Sequence, residues 1–207
     1  MHFNIKFNKY ICSDKNEGLI NLWNEIKNNP DKVAKQYELM WNELNIDEDK
    51  ERKKQYFYMV RDRYNKEHSP YDFMFIMRTT TNGMPRYNKN GEFNNSFHVT
   101  RNGIKPSSLH KIIKEWSTVL NKYNVEFVHQ EYSKIQTKEN DFIYLDPPYA
   151  NTKGMYYGAI NYEELWNWMS KQSCNYMLSF NGKSTTEDMT YEVPNYLYSK
   201  HEYLYSG

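Results

Sequence analysis

The octapeptide Phe142-Ile143-Tyr144-Leu145-Asp146-Pro147-Pro148-Tyr149 constrains the fold more than any other stretch of the chain. Its first four residues read as an apolar strand. The two prolines must end that strand, because proline offers no N–H to a ladder and fixes its own φ. A carboxylate, two rigid residues and an aromatic ring are therefore delivered to a strand's carboxyl end, where open α/β sheets place ligands. The blander alternative is a capped strand and a turn, a role that Pro-Pro also fills.

The flanking pattern supports a sheet with helices around it. Lys9–Ser13 reads as extended, leading to Asp14, and the alternation of Phe3–Phe7 reads as extended too. Leu19, Ile20, Trp23 and Ile26 place a helix over Glu17–Asn28, which Pro30 ends while opening the next, with Val33, Tyr37, Met40 and Leu44 as its stripe. Asn45–Asp47 breaks this helix, a third runs over Glu48–Lys66, and Pro70 starts a fourth through about Thr80. Asn90-Gly91 signals a hairpin turn, since both residues tolerate positive φ. After Pro106, with Ser107 as the expected N-cap, Leu109 to Tyr123 form the clearest amphipathic helix. Strands are expected at Val125–Val128, Asp141–Leu145 and Asn175–Phe180, with another beginning within Tyr196–Tyr205 and a helix capped by Asn161. This β-α-β succession argues for an α/β fold. The expected division is a core from 1–29 and 106–207, with a helical and hairpin lobe inserted at 30–105.

Composition narrows the class. Apolar residues make up 39% and aromatics 17% of the 207 residues, enough for a real core. The formal charge is +1, so nucleic acid would have to meet a local basic face rather than a basic whole. Cys12 and Cys174 lie far apart and form no metal-ligand spacing, which suits a reducing cytoplasm and implies no metal. His98, His110 and His129 also lack ligand spacing and read as structural. No apolar run approaches the roughly 20 residues of a membrane span, and no signal peptide opens the chain.

Asp146-Pro147-Pro148-Tyr149 can do particular chemistry. The amino group of adenine is a poor nucleophile because its lone pair is delocalised into the ring. The Asp146 carboxylate and the Pro147 carbonyl could each accept one amino hydrogen and favour a tetrahedral, nucleophilic nitrogen. The prolines would fix these acceptors in advance, and Tyr149 would stack on the base. No such pocket reaches a base inside a duplex, so the base must be flipped out.

These residues occur in an order that resembles Dam-type adenine-specific DNA methyltransferases. The similar blocks are Asp14-Lys15-Asn16-Glu17-Gly18-Leu19-Ile20-Asn21-Leu22, Arg61-Asp62-Arg63-Tyr64-Asn65, Arg78-Thr79-Thr80-Thr81-Asn82-Gly83, Pro85 to Asn94, and the Asp146 tetrad. The resemblance covers roughly 9–207. It implies a partial Rossmann-like sheet that binds S-adenosylmethionine, with an inserted helical and hairpin lobe for DNA recognition. It implies Asp146, Pro147, Pro148 and Tyr149 as the catalytic tetrad. Asp14 would accept the cofactor's ribose hydroxyls, and Glu131-Tyr132, standing where the family usually has Asp-Phe, would line its adenine, with Asp146 nearby. Arg78, Asn82, Arg86, Tyr87, Asn88, Lys89, Asn94 and Arg101 would face double-stranded DNA, with Lys105 extending the polar surface and GATC the expected site. No acid–base histidine is required.

The sequence departs from that family in one respect. Complete members carry a Phe-x-Gly-x-Gly loop against the cofactor's methionine part, whereas the residues before Asp14 contain no glycine and the chain contains no Gly-x-Gly. The C-terminal end also reads as a strand entry without the strands that follow in the family. The expectation is therefore a fragment or one piece of a split enzyme. It would have an unpaired sheet edge and weak or absent activity alone, and a separate polypeptide could supply the missing loop. Two rival readings stay open: an amino-methyltransferase acting on RNA or protein, and a non-catalytic DNA-binding remnant. The setting would be a phage or a restriction–modification system.

Overall fold

A computed structural model describes residues 7–148, 160–180 and 192–203. By contacts the chain forms two compact units, Met1–Tyr132 and Ser133–Gly207. The lobe expected at 30–105 therefore packs in one unit with the segments on both sides of it.

The first unit opens with β1 (Tyr10–Asp14) and α1 (Glu17–Asn28). Asn16 caps α1 by accepting from the Leu19 N–H at 3.1 Å, with Glu17 in the first turn and Lys27 in the last, both favourable to the helix dipole. Next come α2 (Pro30–Leu44), with its proline at N1, and α3 (Lys50–Glu67), where Asp49 accepts from the N–H groups of Glu51 and Arg52. The third helix thus begins two residues later than the sequence pattern indicated. It stops at His68, whose left-handed φ of 52° closes the last turn.

The fourth helix, α4 (Pro70–Thr79), is the centre of this unit, with Phe73, Met74, Phe75 and Ile76 consecutively buried. A helix apolar on every side is one surrounded by others. It packs among α1, α2 and α3. Around it Val33, Tyr37, Leu44, Phe57, Val60, Tyr64, Leu109 and Ile113 complete one core. Each fully buried Leu, Ile or Phe there contributes roughly 1.5–3 kcal/mol of transfer free energy. The long helix α5 (Pro106–Lys122) leads into β2 (Val125–His129), which lies parallel to β1, with Tyr10 opposite Val125 and Asp14 opposite His129. Ser107 is not the cap of α5: Lys105 occupies that position without a side-chain bond, and Pro106 at N1 needs no N–H partner.

The second unit contains β3 (Phe142–Leu145), α6 (Tyr162–Met169) and β4 (Asn175–Leu178), the two strands being parallel. Asn161 caps α6 through the N–H groups of Glu163 and Glu164, as its sequence position indicated. Ile143 and Leu145 are buried, as are Leu165, Trp166 and Met169, whereas Phe142, Tyr144 and Met177 are exposed on the opposite face. Tyr196 does not begin a strand. Asn195–Leu197 is a 3-10 turn, and the described residues 198–203 join no ladder. Among the described residues each sheet has two strands, so every strand keeps one unpaired edge. No helix among them is long and apolar enough to cross a membrane, and no group of three or more His, Cys, Asp or Glu is placed to hold a metal ion.

Candidate active site

Asp146 follows directly on β3, at the carboxyl end of a parallel pair. The two strands run in register to Leu145 and Leu178, and the Ser179 N–H donates to the Leu145 carbonyl at 2.9 Å. This continuation brings the Ser179 hydroxyl to Asp146, where it donates to Oδ1 at 3.0 Å. The carboxylate is exposed, and Oδ2 takes no bond among the described residues. Two residues on, the Tyr162 hydroxyl donates to the Pro148 carbonyl at 2.7 Å. Tyr162 stacks on Trp166 at 5.7 Å, and Phe180 meets both rings edge-on. The Asp-Pro-Pro turn is thus held by a hydroxyl from each flanking element, above an aromatic cluster. Tyr149 lies outside the described residues. Ser179 and Tyr162 were not singled out from the sequence, since neither belongs to a motif and only the register of β4 and the packing of α6 show what they reach.

In the first unit Asp14 and Glu131 stand at the carboxyl ends of adjacent parallel strands. Asp14 is exposed; its Oδ1 accepts the Asn16 N–H at 2.6 Å, and its carbonyl accepts the Gln130 N–H at 3.2 Å. Lys15 forms an ion pair with Glu131 at 2.8 Å, and the Lys15 carbonyl lies 3.0 Å from His129 Nε2. Tyr132 is half-buried in the short 3-10 turn Tyr132–Lys134. The exposed Asp14 carboxylate at this edge can accept from the hydroxyls of a nucleoside, while Glu131 is held by Lys15. These acceptors suit the nucleoside half of S-adenosylmethionine, and no Gly-x-Gly is present in the chain for its methionine half.

The hairpin is narrower than the Asn90-Gly91 signal suggested. Its antiparallel pairing consists of the isolated bridges Tyr87↔Phe93 and Thr80↔Phe97. Asn88 organises the tip: Oδ1 accepts from the N–H groups of Asn90 and Glu92, and Nδ2 donates to Glu92. Gly91 has φ 79°, the positive value the turn requires. Buried Asn95 holds the base by donating to the Met84 carbonyl and accepting from the Arg86 N–H, both at 2.6 Å. Asn65 on α3 clamps Phe93 from both sides, donating to its carbonyl and accepting its N–H. The amide clamps Asn65 and Asn95 carry no recognisable signal in one sequence, being two among many asparagines.

Of the residues expected to face DNA, Arg86, Lys89, Asn94, Arg78 and Arg101 are exposed. Asn88 and Tyr87 are half-buried and engaged within the protein, Tyr87 accepting a bond from Asn16 Nδ2. Of Asn82 only the backbone is described, within the turn Thr81–Gly83. Arg78 and Arg101 share an open cavity of about 450 Å³, bounded also by Gly83 and Gly103, both with positive φ. Arg101 is anchored there by a bond from Nη1 to the Thr80 carbonyl.

An exposed carboxylate at a parallel strand's end in one unit, and in the other an anchored hairpin carrying exposed arginines, are features of a known group. The family model for D12 class N6 adenine-specific DNA methyltransferases matches residues 1–203. The chain belongs to that family. Relatives of the D12 class include the type II methyltransferase M.MjaIII of Methanocaldococcus jannaschii, 31% identical over 70% of this chain and 51% of its own. The DNA adenine methylase of Escherichia coli K12 is 30% identical over 71% of this chain and 51% of its own, and the type II methyltransferase M.FokI of Planomicrobium okeanokoites 29% over 74% and 24%. The aligned part of the chain spans about half the length of the first of these relatives. Membership of the D12 class makes the α/β architecture that of a methyltransferase family.

Proposed function

We propose that this protein transfers a methyl group to the exocyclic amino nitrogen of an adenine extruded from duplex DNA. The observation that carries the reading is Asp146 at the end of β3, with Oδ1 held by Ser179 and Oδ2 left to accept. S-adenosylmethionine supplies, when bound, an electrophilic methyl group. Asp146 Oδ2 and the Pro147 carbonyl each accept one amino hydrogen, which draws the nitrogen's lone pair out of the ring and aims it at the methyl carbon. Ser179 holds the Asp146 carboxylate through Oδ1, and Tyr162 holds the backbone next to Pro147 through the Pro148 carbonyl, so little reorganisation is needed as charge develops. Tyr149 stacks on the base. As the N–C bond forms the methyl–sulfur bond would break and S-adenosylhomocysteine would leave as the neutral thioether; one amino proton then goes to solvent, and Asp146 remains an acceptor throughout.

Asp14 takes the ribose hydroxyls of the cofactor, and Glu131 with Tyr132 lines its adenine. Residues 30–105 serve as the target-recognition lobe on a core of 1–29 and 106–207. Arg86, Lys89 and Asn94 on the hairpin, with Arg78, Asn82 and Arg101 beside it, meet bases and phosphates, GATC being the proposed site. Tyr87 and Asn88 give the hairpin its shape. The setting is cytoplasmic, and the relatives that are type II methyltransferases favour restriction–modification.

Incubation with methyl-labelled S-adenosylmethionine and a panel of GATC duplex, scrambled duplex, RNA and protein tests the reading. Label in N6-methyladenine of the GATC duplex supports it. Label confined to RNA or protein overturns the substrate, and duplex binding without any transfer favours a non-catalytic DNA-binding protein.

A further inference from the structure

A side-chain bond in the first unit joins the strand end that carries Asp14 to the hairpin. Asn16 Nδ2 donates to the Tyr87 hydroxyl at 3.0 Å, across 71 residues of sequence. Asn16 is 8% exposed, and every part of it is committed. Its backbone N–H donates to Asp14 Oδ1 and its side-chain oxygen caps α1, so its amide nitrogen is left to face Tyr87. A flipped amide would lose the cap, which fixes the orientation.

The far side of this bond is equally constrained. Tyr87 bridges to Phe93 across the hairpin and meets its ring edge-on at 5.7 Å. Phe93 is clamped by Asn65 and lies edge-on to Tyr64 and Phe73. The first turn of α1 rests on the same cluster, because a Cβ on Gly18 would stand 2.2 Å from the Tyr64 hydroxyl. A shift at Asp14 therefore reaches the hairpin through Asn16 and Tyr87, with little slack to absorb it.

We infer that the Asn16–Tyr87 hydrogen bond is a positioning link through which a nucleoside held at Asp14 orders the hairpin that meets DNA. This rests on the reading of Asp14 and the hairpin given above. By linkage the effect is reciprocal: DNA on the hairpin tightens the nucleoside site by the same factor. One neutral hydrogen bond sets the scale of that factor at roughly 2- to 10-fold.

The test uses the full chain with S-adenosylhomocysteine at millimolar concentration. Binding is measured by calorimetry, and order in the hairpin by hydrogen exchange. The reporters are the amides of Asn88 and Asn94, bonded to the carbonyls of Glu92 and Arg86. The variants are Tyr87→Phe, which keeps the ring, and Asn16→Ser, which keeps a capping oxygen but is too short to reach Tyr87. The ligand should slow hairpin exchange by about 2- to 10-fold in the native chain and leave it unchanged in both variants. A ligand that binds and slows exchange equally in native and variant chains overturns the link alone. So does a ligand that binds and slows neither. A native chain that gives no binding heat overturns the nucleoside site itself, and the link with it.

Discussion

Replacing Gly18 by alanine should destabilise the protein even though alanine is the better helix former. Alanine in place of glycine is worth up to about 1 kcal/mol within a helix, and less in its first turn. Against this, the new Cβ would stand 2.2 Å from the Tyr64 hydroxyl oxygen, so something must move by most of an ångström. Tyr64 has no room to yield, being 2% exposed, stacked on Phe73 at 5.3 Å and edge-on to Phe93. Overpacking of this kind costs typically 1–3 kcal/mol, which leaves a net loss of about 1–2 kcal/mol. Urea unfolding followed by circular dichroism measures it as a fall in midpoint at constant slope. In a Tyr64→Phe background the next atom, Cζ, is 3.3 Å away, a contact that a shift of a few tenths of an ångström relieves, so Gly18→Ala should lose most of its cost there. The pair should therefore couple by about 1–2 kcal/mol. A neutral Gly18→Ala, or an equal loss in both backgrounds, would refute this packing of α1 on Tyr64.

Other predictions follow from single contacts. Arg63 grips the buried carboxylate of Asp72 through Nε at 2.8 Å and Nη2 at 2.6 Å. Arg63→Met should cost about 2–3 kcal/mol by urea unfolding, the low end for an orphaned buried charge because the Arg63 side chain is 41% exposed, and Asp72→Asn should recover part of it. Tyr37 is buried, donates to the Ile104 carbonyl at 2.9 Å, and has its pKa pushed up to about 12 by burial. Its neutral form stabilises the fold fully below the unfolded value near 10, and that contribution is lost as pH rises toward 12. Tyr37→Phe should cost about 1 kcal/mol at neutral pH and flatten the decline in stability between those values. Arg101→Ala should weaken duplex binding alike for all sequences and lower the salt slope by about 1, as read by fluorescence anisotropy. Arg86→Ala should instead relax sequence preference.

The sequence made the helices legible to within a residue or two where prolines and periodicity agreed, as at Pro30–Leu44 and Pro70–Thr79. It failed where tertiary context decides. Lys105, not Ser107, precedes α5 because a proline at N1 makes a side-chain cap unnecessary. The consecutive burial of Phe73 to Ile76 needs a helix enclosed on all sides, and a one-face stripe does not foretell that. The Asp146 strand end was legible because prolines punctuate it. Its supports Ser179 and Tyr162, 33 and 14 residues from the groups they bond, were not, since parallel register brings the first there and the packing of α6 the second. The place of Asn88 and Tyr87 on the hairpin was legible, whereas the bonds by which they shape it, to Asn90, Glu92 and Asn16, were not.

Single-turnover methyl transfer to the GATC duplex, with N6-methyladenine quantified by mass spectrometry for the native chain and for Asp146→Ala, bears most directly on the central claim. Slow formation of N6-methyladenine by the native chain, whose cofactor would be held without a glycine loop, and a further fall of about a hundredfold or more with Asp146→Ala, at unchanged duplex affinity, is the expected result. Transfer that proceeds as fast without the Asp146 carboxylate as with it would contradict the claim.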